Sequence, residues 1–215
     1  MLVLALDSAG SACSAALWRD GSVLARRFAV MARGQSEVLV PMIADVMAEA
    51  GCAFTQLDLL AVTVGPGAFT GIRIGLSTAR ALALAADKPL AGITTTEAIA
   101  AAIAPADRAG HTIMVVVDSR RAELWVQLFG ADLTPLGPIA ALRPQQAAAL
   151  VNGPVILAGD GAKLVAPLLP RASLADQDYL DAVSVAGLAA DRWPHAVLPP
   201  EPLYLRPADV TVSAA

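Results

Sequence analysis

The sequence predicts an α/β protein built from two halves of similar order. Three observations carry that prediction. First, the apolar runs Leu2–Leu6 and Thr112–Val117 each stop on an aspartate, Asp7 and Asp118, the pattern of a strand buried on both faces. Second, each run is followed by strand-type segments and then by alternating helical and apolar strand patterns. Third, the stretch from Pro105 to Gly110 is polar and punctuated, which divides the chain into domains 1–104 and 105–215.

In the first half, Ala12–Trp18 reads as a second strand. Asp20-Gly21 is a two-residue hairpin signal, and Ser22–Val30 is the returning strand. A helix follows over Ser36–Ala50, with Ser36 as its N-cap, Pro41 in its early turns and Gly51 as its stop. Leu59–Val64 is a fourth buried strand, Gly71–Ala86 a second helix, Pro89–Ile93 a short strand and Thr95–Ala104 an alanine-rich helix. In the second half, Ala122–Phe129 alternates as a half-exposed strand. Leu133–Ala140 reads as an edge strand, because Pro135 and Pro138 cannot donate to a ladder. A helix (Gln145–Val151), a strand (Val155–Ala158), a helix after Asp160 and a helix over Leu180–Arg192 complete it, before a proline-rich extended tail that could pack back on the first half. The repeat is one of topology, not of residues. Its predicted class is the duplicated actin/Hsp70-ATPase-like (ribonuclease H-like) layout, each half a mixed sheet with flanking helices.

Composition narrows the function classes. Of 215 residues, 56% are hydrophobic and 16% charged, which excludes a disordered chain. Lys+Arg is 15 against Asp+Glu 19, a net charge of -4, so there are few cations to grip a phosphate backbone unaided. The apolar stretches are broken by Asp7, Arg73, Arg80, Asp87 and Glu97, so no membrane span is expected. Met1–Leu6 lacks a basic region and meets Asp7 at once, so no secretory signal is expected and the compartment is read as cytoplasmic. Cys13 and Cys52 have no metal or disulfide spacing and read as core residues.

The most specific stretch is Gly65-Pro66-Gly67-Ala68-Phe69-Thr70-Gly71-Ile72-Arg73-Ile74-Gly75, between a strand and a helix. Such a loop either holds a phosphate at a helix N-terminus or makes a structural turn. It is not a P-loop, because Ile72 and Arg73 stand where Lys and Ser/Thr are needed, and Thr70 breaks the dinucleotide fingerprint. The helix it opens has a ridge of small residues at Gly71, Gly75, Ala79 and Ala83, flanked by Ile72 and Leu76. The preceding helix carries Val38, Leu39, Val40, Met42, Ile43, Val46 and Met47, an arc wider than one core face requires. The ridge packs either within the chain or against the helices of a partner, and these residues, Val40 and Gly71 apart, are the expected partner interface. His111 and His195 are far apart in sequence, so no metal site is expected. Asp7 and Asp118 either cap turns or face one cleft as metal-phosphate carboxylates; the latter would make the chain an ATP-dependent small-molecule kinase. Asp118–Glu123 reads as a solvated hairpin, and Gly159-Asp160-Gly161 borders a nucleotide cleft or opens a helix.

Residues 65–75 closely resemble the GPGSFTGLRIG signature of the TsaB (YeaZ) family, bacterial subunits for threonylcarbamoyladenosine biosynthesis in tRNA. Leu6-Asp7-Ser8, Ser36-Glu37, Ile93-Thr94-Thr95, the Asp118–Trp125 element and Tyr204-Leu205-Arg206 match where that family has them. Gln35 and Ala68 depart from its usual His and Ser. The resemblance implies the two-domain fold above and a non-catalytic subunit with no cofactor of its own. It implies partners TsaD and TsaE, a homodimer in isolation, ATP and tRNA engaged only through the complex, and no metal. It lends nothing to a stand-alone peptidase reading, which would need zinc ligands the sequence lacks.

Overall fold

The computed structural model describes residues 1–205; Arg206, the last residue of the closing motif, lies outside them. The first sheet comprises β1 (Leu2–Asp7), β2 (Ala12–Arg19) and β3 (Ser22–Val30), then β4 (Leu59–Gly65) and β5 (Leu90–Thr94), in the order β3-β2-β1-β4-β5. β1 lies at its centre, antiparallel to β2 and parallel to β4. It sends Leu2, Leu4 and Leu6 to one face and Val3 and Ala5 to the other, and both faces are covered. That is why its sequence is a continuous apolar run. The turn between β2 and β3 has Asp20 at φ 48° and Gly21 at φ 90°, the two positive values an Asp-Gly hairpin supplies.

The Leu2/Leu4/Leu6 face is covered by α1 (Gln35–Glu49) and α2 (Phe69–Ala86). The N-cap of α1 is Gly34, not the expected Ser36, because the chain turns through φ 94° there. On the other face lies a core shared by both halves. α3 (Thr95–Ala101) and the short α4 (Pro105–Arg108) lead into β6 (Thr112–Val117), β7 (Leu124–Phe129) and β8 (Ala140–Leu142). Then come α5 (Pro144–Ala148), β9 (Val155–Ala158), α6 (Ala162–Val165), β10 (Ser173–Leu174) and α7 (Ala182–Arg192). The second sheet runs β10-β9-β6-β7-β8. β8 begins where the expected edge strand ends, because Pro135 and Pro138 break the ladder; only an isolated bridge, Phe129 to Pro135, forms before it.

The sheets divide between β5 and β6, but packing crosses that division. α7 lies on β1, β2 and β4 of the first sheet, and α3 lies on β6 and β7 of the second. Ala98, Ile99, Val185, Ala186 and Ala189 join Val3 and Ala5 to Ile113, Val115 and Phe129 in one core. Polar ties fix this layer: Arg192 pairs with Glu97 at 2.9 Å, and Thr96 Oγ1 donates to Gln127 Oε1 at 2.6 Å. Ser14 Oγ accepts from Ala182 N at 3.0 Å, deep in the structure.

The tail returns to the first sheet as a strap. Leu198 exchanges backbone bonds with Gly92 (2.8 and 3.1 Å), and Leu203 N donates to Val64 O at 2.8 Å. Arg73 Nε donates to Tyr204 Oη at 2.9 Å and lies over the Phe69 ring, 3.7 Å from its centroid. Among the described residues no helix is long and apolar enough to cross a membrane.

The expected partner interface requires correction. Leu39, Ile43, Val46 and Met47 of α1 and Ile72, Gly75, Leu76, Ala79 and Ala83 of α2 are buried in this chain's own core. Only Val38 and Met42 of that set are partly exposed. The small-residue ridge is covered by β1, β4 and the loop after β1, so the close approach it permits is made within the chain. What the two helices leave outside is Val40 of the apolar arc (58% exposed), with Leu84 (85% exposed) and the alanines Ala44, Ala48, Ala81 and Ala85.

Candidate functional site

A cleft of about 400 Å³ opens between the halves. Its first wall is the β1–β2 loop (Ala9–Ser11) with the starts of α1 and α2; its second is Val117–Arg120, Trp125 and Asp160. A neighbouring cavity of about 500 Å³ shares Gly67, Ala68, Ser119 and Trp125 with it and is closed by the strap.

The glycines of the 65–75 motif build the first wall. A Cβ placed on Gly71 would stand 2.2 Å from Ser8 O, and one on Gly67 2.3 Å from Ala9 O. One on Gly75 would stand 2.9 Å from Ser8 Oγ. Ser8 Oγ donates to Gly71 O at 2.9 Å, and Ala68 N to Ala9 O at 2.7 Å. The motif therefore seats the β1–β2 loop against α2, backbone on backbone, which only glycine allows. This is the structural-turn reading of the loop. Gln35 is buried behind it and donates to both Gly10 O and Met31 O at 3.3 Å.

Asp7 and Asp118 do not face one cavity. Asp7 is buried, accepting from Thr63 Oγ1 and, at 3.1 Å, from Ala9 N. It borders a small void of about 20 Å³ that shares Gly10, Ser11, Val117 and Asp160 with the cleft, while Asp7 itself does not line the cleft. Burial pushes its pKa up to about 6 despite the Thr63 and Ala9 hydrogen bonds, with the Asp181 charge adding to the rise. A carboxyl with its folded pKa raised from 3.8 holds its proton in the folded state while the unfolded chain has lost it. Stability from this group is thus full below pH 4 and declines as pH climbs through 6. Asp7→Asn is expected to raise stability at pH 7 by on the order of 2 kcal/mol and to flatten the pH 4–6 dependence, read by urea melts across that range. An unchanged slope would contradict the assignment. The same burial, with Asp7's charge, pushes the Cys13 thiol up to about 12, which makes it an inert core residue rather than a nucleophile.

Asp118 does line the cleft, with a partner the sequence did not disclose. Arg120 Nη1 lies 3.0 Å from Asp118 Oδ2, and Arg120 Nη2 3.6 Å from Asp160 Oδ2. Asp160 Oδ1 accepts the Asp118 N–H at 2.8 Å. Burial raises the Asp160 pKa, against the lowering effects of that N–H and of the Arg120 charge. Asp160 thus borders the cleft, and Arg120, expected to point into solvent, closes over both carboxylates. Asp118 and Arg120 share one hairpin, but nothing in the sequence marks Asp160 as their neighbour, because the β9–α6 turn that brings it in is distant in sequence. His111 and His195 are not brought together, and among the described residues no three His, Cys, Asp or Glu side chains converge in a metal-ligating group.

Fold and cleft together define a two-sheet protein of the actin/Hsp70-ATPase class whose cleft carboxylates are bound by an arginine of the same chain. An activator of 2-hydroxyisocaproyl-CoA dehydratase from Clostridium difficile, with bound ADPNP, has this fold at TM-score 0.55 and 12% identity, over 89% of this chain and 95% of that one. YeaZ from Pseudomonas aeruginosa superposes far better, at TM-score 0.79 and 28% identity over 95% of this chain and 99% of that one. The family model "TsaD: tRNA N6-adenosine threonylcarbamoyltransferase" matches residues 29–191. The Escherichia coli protein TsaB is 37% identical over 125 residues, 58% of this chain and 53% of that protein, about half its length. An uncharacterised Mycobacterium tuberculosis protein is 33% identical over 217 residues, 96% of this chain and 92% of that one. The chain belongs to the TsaD family, and within it is similar to Escherichia coli TsaB and to YeaZ from Pseudomonas aeruginosa.

Proposed function

We propose that the chain is a non-catalytic, cytoplasmic subunit in tRNA threonylcarbamoyladenosine biosynthesis that docks a TsaD-type enzyme and supports its transfer of a threonylcarbamoyl group to tRNA. Family membership supports the pathway. The observation that carries the non-catalytic part is the Arg120 guanidinium on Asp118 and Asp160. In a phosphoryl-transfer enzyme those carboxylates would be free to hold a metal-phosphate. Here the Arg120 cation pairs with them, and Asp7 is buried and does not line the cleft. In this reading ATP, TsaE and tRNA act through the assembled complex, and the isolated chain pairs with itself when TsaD is absent.

The docking face is the exposed remainder of α1 and α2, centred on Val40 and Leu84, and not the buried ridge. Large apolar side chains standing in water on adjacent helices are the usual anchors of a helix–helix interface. Calorimetric titration of the isolated chain with Mg-ATP is expected to show no micromolar binding. Micromolar binding would overturn the non-catalytic reading in favour of an ATP-dependent small-molecule kinase.

A further inference from the structure

Arg120 stands where three loops meet. It lies in the β6–β7 connection at φ 60°, a backbone conformation seldom taken by residues other than glycine, asparagine and aspartate. Asp118 holds that turn, its Oδ1 accepting the Arg120 N–H at 2.7 Å. The side chain therefore doubles back over its own loop and reaches Asp118 and, on the β9–α6 turn, Asp160. Its Nη2 also donates at 2.8 Å to Ser11 Oγ. Ser11 belongs to the β1–β2 loop of the first half, and its carbonyl accepts from Met31 N at 3.0 Å at the exit of β3.

We propose that Arg120 is a latch across the cleft: its guanidinium ties the β1–β2 loop of the first half to the two carboxylate-bearing loops of the second and so fixes the width of the opening between them. This goes beyond the docking role and depends on neither a partner nor tRNA.

The latch rests on the number and placement of the contacts. A lone exposed ion pair contributes little, and the Arg120 side chain is 67% exposed. This guanidinium, however, closes on two carboxylates and a hydroxyl at once. Its planar fork presents donors in fixed directions, so once one contact forms the others cost little further ordering. A lysine ammonium is a single point of charge and cannot span the same three partners. The two carboxylates also need a cation between them: Asp160 is pushed up by its burial and by the Asp118 charge, and Arg120 opposes that. Of these three Arg120 contacts, the one to Ser11 crosses from one half to the other. It is the contact that turns a local ion pair into a tie.

Amide hydrogen exchange on the full chain tests the proposal, using wild type, Arg120→Ala, Arg120→Lys and Ser11→Ala, each checked for fold by circular dichroism. In Arg120→Ala, residues 8–12, 118–122 and 159–161 are expected to exchange about fivefold faster while the central strands are unchanged. Ser11→Ala loses one hydroxyl on the surface and keeps the fold, so it stands as the test even if Arg120→Ala is poorly folded; it is expected to speed residues 8–12 about threefold. Arg120→Lys is expected to protect residues 118–122 and to release 8–12. High salt is expected to speed residues 8–12 in wild type and to add nothing in Arg120→Ala. Acceleration confined to residues 118–122, or unchanged exchange at 8–12 in both alanine variants, would overturn the latch and leave Arg120 as a cap on its own turn.

Discussion

Gly71→Ala is expected to lower the melting temperature by roughly 5–10 °C, a loss of about 3 kcal/mol for a chain of this size. The added methyl would lie 2.2 Å from Ser8 O, a backbone atom that cannot swing aside as a side chain could. To make room, the β1–β2 loop must lift from α2, which breaks the bond from Ser8 Oγ to Gly71 O and pulls on Asp7 next to it. Gly75→Leu is expected to do still more damage, because a larger side chain must enter between Ser8 Oγ and Val62. Gly187→Ala is the control. It lies in α7 with nothing within 4 Å of a built Cβ, so the change is expected to stabilise by about 0.5–1 kcal/mol through helix propensity. Thermal melts of the three variants decide the matter. A Gly71→Ala protein as stable as wild type would mean that α2 does not press on this loop.

Leu84→Glu, alone or with Val40→Asp, is expected to reduce co-purification with the proposed TsaD-type partner at least about tenfold while leaving the melting temperature within about 2 °C. Both side chains stand mostly in solvent, so a charge there meets no core. At a desolvated interface centre the same charge loses its water without gaining a partner. The pair of experiments separates two roles that one helix serves. Under the proposed docking, substitutions on the buried ridge of α2 are expected to remove binding only by unfolding the chain, and substitutions at Leu84 to remove it from a folded chain. Undiminished co-purification of folded Leu84→Glu with Val40→Asp would rule out this face.

The order of elements was legible because the strands that matter most are buried on both sides. Leu2–Leu6 and Thr112–Val117 read as continuous apolar runs since helices cover each face of each sheet. The Asp20-Gly21 hairpin was legible from local chemistry, and the structure gives both its positive φ values; the cap of α3, Glu97 N donating to Thr94 Oγ1 at 3.2 Å, is seen only in the structure. The ridge on α2 was legible as a surface for close approach, but not by what. Its neighbour is the backbone of Ser8 and Ala9, and a backbone leaves no side-chain pattern to read. Arg120 was hidden for a similar reason: two of its three partners, Asp160 and Ser11, come from loops brought to it only by the fold. α7 packs on the first sheet although it follows the second, an arrangement that helix periodicity cannot report.

The central claim is that this TsaB-type chain contributes no chemistry and acts through a TsaD-type enzyme docked on α1 and α2. The most direct measurement is threonylcarbamoyl transfer to tRNA by that enzyme, with and without this chain, and with the Leu84→Glu/Val40→Asp variant. Activity should rise severalfold with the wild-type chain, stay at the enzyme-alone level with the variant, and be nil with this chain alone. Transfer by the isolated chain, or full stimulation by the folded variant, would contradict it.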